Sequence, residues 1–444
     1  MKYISSENKM ENGCVFKLII RMSLPPLFSM FLQYSYNFAD SAFVAGLGED
    51  ALTAVSLAFP LISLMNSASI WLGVGLNVLI ARFLGEHRQD LADYLASAGV
   101  VLAVLFGLIL NIAVLLVMRP YFVLFTKDEE ILRLCIQYMS ICAFMQIPNM
   151  VHIVIQKIFQ ATGNMVAPMI FQIIGVAFNF IFDPILIFGY GSFPKMGIQG
   201  AALSTVLGYT LSMIIAFIML MFTRQKVSLR IRGVKISGKA VREILVVGLP
   251  SFIMNSLGAL MVTFVNIFLT MYSSTAVAFY GAYYKAQQII VMAVNGLIQG
   301  CLPIMSYSYG AGKHERLQCA FKLGTGFAVG MMMIGTIVFM VFPKQILILF
   351  NASDEMTKIG MTAMRIIPLG FCCNGISTMT ATYMQAAANV KKSIIINLMR
   401  QLIILFPVMF VFSGIRELNG IWISFPVTEF ITLVYALYEK RKSG

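Results

Sequence analysis

Two aspartates stand where a bilayer leaves little room for charge. Asp40 lies in LFSMFLQYSYNFADSAFVAGLG and Asp183 in FNFIFDPILIFGY, both within runs otherwise apolar enough to cross a membrane. An ionisable side chain at the centre of a helix in lipid costs roughly 2.5 to 3.5 kcal/mol on insertion scales, so it needs a partner or a wet cavity. Each aspartate has an amide on the same helix face, Asn37 three residues before Asp40 and Asn179 four before Asp183. Two adjacent carboxylates in a low dielectric do not both stay ionised without a cation, so a meeting of the pair makes a place for a shared proton or a sodium ion. Oxygens from Asn37, Asn179 and a neighbouring threonine suit Na+. A polar network that only fixes helix packing is the plainer alternative.

The elements that must position this pair are membrane helices. Of 444 residues 59% are hydrophobic and 11% charged, with mean hydropathy +0.85, against roughly 25% charged in soluble proteins. The apolar runs are too long for barrel strands of about ten residues, which predicts an all-α membrane protein. Twelve spans are expected, near 17–46, 52–80, 95–117, 132–156, 166–189, 199–223, 244–271, 276–307, 319–342, 358–384, 393–413 and 419–438. With the N-terminus inside, 23 of the 32 Lys and Arg fall in inner segments, eight fall in outer loops, and Lys285 is left in mid-span. This asymmetry accounts for most of the +13 charge without nucleic acid and places both termini in the cytoplasm. The N-terminus lacks the short apolar core and small-residue cleavage site of a signal peptide, so the first span is expected to be retained.

The chain repeats itself. Gly73, Gly85 and His87 recur 227 residues on as Gly300, Gly312 and His314, and QATGN at 160–164 recurs 225 residues on as QAAAN. Leu24-Pro25 likewise recurs as Leu249-Pro250. Six spans per half is an even number, so the repeats are parallel. The expected domains are a six-helix lobe over 1–223, a basic cytoplasmic linker over 224–243 and a second six-helix lobe over 244–444, pseudo-symmetric about a central cleft. The linker carries seven basic residues, and its alternating Val227, Leu229 and Ile231 allow a short strand or an interfacial segment beside a plain solvated linker. Symmetry fails at the carboxylates: Asn266 stands opposite Asp40, and Val408 opposite Asp183.

Other chemistries find no footing. There is no GxxxxGK[ST] loop for ATP, no HExxH and no CxxC, and the seven cysteines show no metal-ligand spacing. His87 and His314 read as repeat-related loop residues, and GVG at 73–75 and GAG at 310–312 as packing and turn glycines. No cofactor, and no metal beyond a coupling Na+, is expected. In the second half Arg400 is expected to snorkel to the inner surface, while Lys285 and Glu429 either neutralise each other or line the cleft.

With these residues assembled, the chain resembles the multidrug and toxic compound extrusion family, in its prokaryotic branch with acidic residues in the first lobe. YNFADSAFVAGLG at 36–48, WLGVGLNVLIARFLGEHRQDLA at 71–92, QATGN, FNFIFDP, GIQGAALST at 197–205, AFYGAYYKAQQ at 278–288 and WISFPVTE carry the likeness over nearly the whole chain. The resemblance implies two six-helix lobes and efflux of drugs or organic cations in exchange for H+ or Na+ by alternating access. It also implies a cation site at Asp40, Asn179, Asp183 and Thr205, with Tyr138 a weaker match. The acidic residue that other branches carry in the seventh span is absent here.

The expectation is a monomeric, multi-pass inner-membrane antiporter and not an enzyme. It would take small amphipathic or cationic substrates, with Lys285, Glu429 and Asn266 in its substrate cavity and a hinge at Pro25 and Pro26. Its 31 Met and 35 Phe suit walls that re-pack around different ligands. The alternatives are a flippase for a lipid-linked precursor and a polytopic membrane enzyme. The first wants a cationic cavity and the second paired Asp-rich or His-bearing loops.

Overall fold

Backbone N–H and C=O groups in lipid must be satisfied within their own segment, which leaves long apolar runs only the helix or the closed barrel. The computed structural model describes residues 10–191, 193–223, 226–229, 236–350 and 352–443, and all regular structure among them is helical. The helices are α1 Val15–Ala45, α2 Glu49–Gly85, α3 Gln89–Phe125, α4 Glu129–Ala143, α5 Gln146–Ala161, α6 Val166–Phe188, α7 Ile198–Phe222 and α8 Gly238–Thr270. They continue with α9 Ser274–Gly310, α10 His314–Val341, α11 Pro343–Leu349, α12 Asp354–Ile366, α13 Phe371–Ala386, α14 Val390–Leu398 and α15 Leu405–Ser443.

Among the described residues ten segments are long and apolar enough to span, and α4 with α5, bent by 44°, makes an eleventh. One of the ten, Val390–Lys442, is 53 residues long. At 1.5 Å per residue it reaches about 80 Å, more than twice a hydrocarbon core, so it serves as two spans. The break is Glu417, whose φ of 51° and ψ of −132° interrupt α15. That restores the expected twelve.

By packing the chain divides into two compact units, each built from separated stretches of sequence. The first holds Phe28–Phe252 with residues 10–11, and the second holds Asn12–Leu27 with Ile253–Gly444. The sequence reading drew one contiguous lobe on each side of the linker; by packing, two long helices are shared. The first part of α1 belongs to the second unit, and the first part of α8 belongs to the first. Both changes of allegiance follow prolines, at Leu27 after Pro25-Pro26 and at Phe252 after Pro250. A proline frees a carbonyl one turn back and crowds it, so these are the points where each helix bends most cheaply.

In the first unit α8 lies on α2 at backbone contact. Trp71 Nε1 donates to the Leu245 carbonyl at 2.6 Å, and a Cβ added at Gly248 would fall 2.1 Å from the Trp71 carbonyl oxygen. The linker is tied to the same unit. Asp93 accepts from the Ser228 N–H at 2.9 Å, Tyr94 accepts from the Ser237 N–H at 3.0 Å, and Val227 is buried. The described part is therefore a docked strap with no strand in it; Ile231 lies outside the described residues. Lys157, one residue past the span expected over 132–156, sits buried in the last turns of α5. Its ammonium donates to Gln160 Oε1 at 2.9 Å, and its carbonyl accepts from Asn77 Nδ2 at 3.0 Å.

Gly248→Val forces side-chain atoms into the α2 backbone, and overpacking of this kind costs about 1–3 kcal/mol. The expected outcome is a lowered thermal midpoint in detergent for Gly248→Val, and little change for a valine at Gly238, where an added Cβ meets nothing within 4 Å.

Candidate functional site

The carboxylate pair forms inside the first unit, from three helices. Tyr36 and Asp40 are four residues apart on α1 and share a face. Asn179 and Asp183 repeat that spacing on α6, and Pro184 follows, so its ring leaves the Phe180 carbonyl without its usual donor. Ser204 and Thr205 come from α7. The close approach of α6 and α7 depends on Gly208, where an added Cβ would sit 1.8 Å from Asn179 Oδ1. Behind them Ala54 and Ala58 of α2, Met139 and Cys142 of α4, and Ala201 and Ala202 of α7 pack with Tyr138 into one buried cluster.

Asp40 and Asp183 interact electrostatically, and Tyr36 interacts with both. Tyr138 faces Asp40 and Tyr36, and the Tyr36 hydroxyl also faces Thr205. Ser204 and Tyr36 lie within reach of Asp183 without closing a hydrogen bond on it. Thr205 donates its own hydroxyl to the Ala201 carbonyl at 3.0 Å, which leaves its lone pairs toward the site. Six oxygens from five side chains are sealed from solvent with no hydrogen-bond partner: Tyr36 Oη, Asp40 Oδ1, Asn179 Oδ1, both oxygens of Asp183 and Ser204 Oγ. Each such group costs about 1–3 kcal/mol when left bare. So many in one place mark a receptor, and an all-oxygen set suits a hard cation or a proton.

The pair, Asn179, Thr205 and Tyr138 therefore lie together in the first unit. Asn37 does not join them. It is exposed, and its amide oxygen accepts from Gln33 Nε2 at 3.5 Å. Three residues from Asp40 is one helix position off the inner face, and Tyr36, at four, takes that face. Tyr36 and Ser204 were missed, although both adjoin residues that had been singled out.

A family profile for MatE matches residues 25–185 and 250–411. The chain belongs to the MatE family. The two matched blocks begin 225 residues apart, the offset at which QATGN recurs as QAAAN. Among similar proteins, a FAD transporter of Shewanella oneidensis is 24% identical over 425 residues, 95% of this chain and 93% of the relative. The multidrug export protein MepA of Staphylococcus aureus is 25% identical over 435 residues, covering 96% and 94%. An outward-facing multidrug resistance MATE family transporter superimposes with TM-score 0.93 at 24% identity over 100% of this chain and 98% of the other. MATE structures in the bent and straight conformations each superimpose with TM-score 0.92. This MatE chain is accordingly a multi-pass membrane transporter and not an enzyme.

The second unit of this MatE protein arranges its charges differently from the sequence expectation. Glu429 pairs with Arg400, Nε to Oε1 at 3.9 Å, rather than with Lys285, which is exposed on α9. Asn374 Nδ2 donates to Glu429 Oε1 at 2.7 Å, and Arg400 Nη1 donates to Thr378 Oγ1 at 2.5 Å. Arg400 thus does not snorkel. It lies in a π-helical turn, Met399–Ile403, whose extra residue alters the register and aims the guanidinium inward. Asn266 Oδ1 on α8 is buried without a partner.

Arg400 and Glu429 are 15% and 16% exposed, so removing one charge strands the other. Glu429→Gln is expected to cost about 3 kcal/mol in detergent unfolding, and Arg400→Met with Glu429→Leu to recover most of that loss. A single variant as stable as wild type would show that the pair contributes nothing.

Proposed function

We propose that this transporter is a secondary efflux antiporter of the inner membrane, acting as a monomer. It exports amphipathic or cationic compounds in exchange for H+ or Na+ bound at Asp40 and Asp183. The observation that carries this reading is the group of six unpartnered oxygens around two interacting carboxylates in a bilayer-crossing bundle. Asn179, Thr205, Ser204, Tyr36 and Tyr138 complete the site. An ion arriving there removes or balances the charge on the pair, which changes how α1 is held against α6 and α7. Below Asp40, α1 has its bending point at Pro25 and Pro26. A potential of 100 mV supplies about 2.3 kcal/mol per charge, enough to bias two helix shapes of similar energy and so drive alternating access.

The Shewanella relative's name raises a phosphate-bearing cargo, and the flippase alternative asks for the same kind of wall. A phosphate wants a cation free to receive it. In this chain Arg400 is engaged by Glu429, Asn374 and Thr378, which leaves Lys285, exposed on α9, as the mid-span cation of the second unit that an anionic cargo would need. Termini on the cytoplasmic side follow from the basic asymmetry. In a cysteine-free background, cysteines at Ser237 and Gly444 are expected to react with an impermeant thiol reagent only from inside. Labelling of either from outside would break the twelve-span topology.

Asp40→Asn and Asp183→Asn each remove a carboxylate that has no cation beside it, so thermal stability is expected to hold or rise. Reconstituted in proteoliposomes, both are expected to keep binding a fluorescent organic cation and to lose export driven by an imposed pH or Na+ gradient by tenfold or more. The gradient that drives the wild type names the coupling ion. Wild-type transport by either variant under both gradients would remove that carboxylate from the mechanism.

A further inference from the structure

One end of the second unit gathers ammonium groups without acids. In the last turn of α15 the Lys440 ammonium sits over the ring of Phe321 on α10, 3.5 Å from its centroid, and 5.6 Å from that of Tyr383 on α13. The two rings meet edge to face at 5.2 Å and are both buried, and Gln318 Nε2 donates to Tyr383 Oη at 3.1 Å. Lys440 is therefore half-buried and held on an aromatic floor. Lys322, the residue after Phe321, is exposed and brings a second ammonium near enough to repel the first. Glu439 adjoins Lys440 in sequence but pairs with Lys392 on α14 at 2.8 Å. Among the described residues no carboxylate pairs with Lys322 or Lys440.

Membrane orientation asks only that basic residues lie on the inner side, which the proposed topology makes this end; it does not ask for two of them fixed side by side. Like charges so placed disfavour each other unless an anion joins them. An ammonium seated on a ring face still turns N–H donors away from it, so both lysines can donate to one acceptor group. The surface leading from Lys322 into the membrane indicates what carries that group. Gly326 and Gly330, one and two turns on, are exposed, and an added Cβ at either meets nothing within 4 Å. Ile334 and Ile337 continue that side of α10 uncovered, and Leu437 and Val434, within two turns of Lys440, are likewise exposed on α15. Lys322 to Ile334 is twelve residues, about 18 Å, close to the roughly 15 Å of hydrocarbon in one leaflet. A free anion would use the lysines alone, whereas an amphiphile with its anion at the pair also covers the face below.

We propose that Lys322 and Lys440 form a headgroup site for an anionic phospholipid of the inner leaflet. Its phosphodiester joins the two ammoniums, and an acyl chain lies along Gly326, Gly330 and Ile334. Basic recesses between membrane helices suit such headgroups, and here the aromatic floor fixes one of the two donors in advance. The site lies wholly within the second unit and holds whichever ion couples transport in the first.

In detergent, the full-length protein titrated with phosphatidylglycerol is expected to show in native mass spectra a bound lipid that phosphatidylcholine does not displace. Lys322→Gln with Lys440→Gln is expected to weaken its retention at least tenfold. Arg441→Gln with Lys442→Gln removes the same charge from exposed neighbours and is expected to weaken it less than twofold. Equal losses for the two pairs would mean general attraction to a basic face and overturn the site. Should Lys440→Gln lower the thermal midpoint in phosphatidylcholine alone, Lys322→Gln, at an exposed position, must still weaken retention at least threefold, and no change there overturns the site as well. Gly326→Leu keeps both ammoniums, fills the face below them and is expected to weaken retention at least threefold. Glycerol 1-phosphate, the same phosphate without chains, is expected to leave the lipid in place. Full retention by Gly326→Leu, or displacement by glycerol 1-phosphate, would make the pair a site for free phosphate and overturn the phospholipid assignment.

Discussion

Bare oxygen in a dry interior is the constraint on which this structure turns. Helices in lipid satisfy their backbones internally, so whatever polar atoms remain exposed inside the bundle are those of side chains placed there. In the first unit those atoms converge: two carboxylates, an amide and two hydroxyls with nothing to bond, on α1, α6 and α7. The fold tolerates them because Gly208 lets α6 and α7 approach until Asn179 is enclosed, and because a cation or proton can discharge the cost. In the second unit Glu429 meets the same problem with Arg400 and Asn374 at Oε1, while its Oε2 stays without a hydrogen-bond partner.

Much of this was legible in the sequence, because a bilayer turns hydropathy into geometry. Run length gave the helices, the basic residues their proposed direction, and the recurrence of Gly73, QATGN and Leu24-Pro25 the two-fold plan. Asp40 and Asp183 announced themselves as charges in apolar runs. What escaped notice depended on details finer than periodicity. Asn37 and Tyr36 flank the same helix position, and a 3.6-residue period does not by itself say which of the two turns inward. Arg400 was misplaced because a π-helical turn shifts the register by a residue, which no count of apolar positions reveals. Lys157 fell one residue beyond the span expected over 132–156, whereas α5 continues through Ile158 and Phe159 to Ala161.

The packing boundary was equally hidden. A basic, polar linker is a reasonable place to divide a chain, yet Asp93 and Tyr94 hold its described part onto the first unit. The changes of unit fall instead within continuous helices, at Leu27 and Phe252, where nothing in composition shifts. Only the prolines mark them.

That sharing has a consequence for the protein as a piece of evolutionary and biosynthetic material. The two halves repeat one another in sequence, but the first stretch of each half belongs by packing to the other's unit. A ribosome that has made residues 1–223 has not yet made a finished unit, since the α8 segment that lies against Trp71 is still to come. The second unit, for its part, waits from the start with Asn12–Leu27 already inserted and unsatisfied. Fragments severed at the linker would therefore each be missing a rib, and only together would they make two whole bodies.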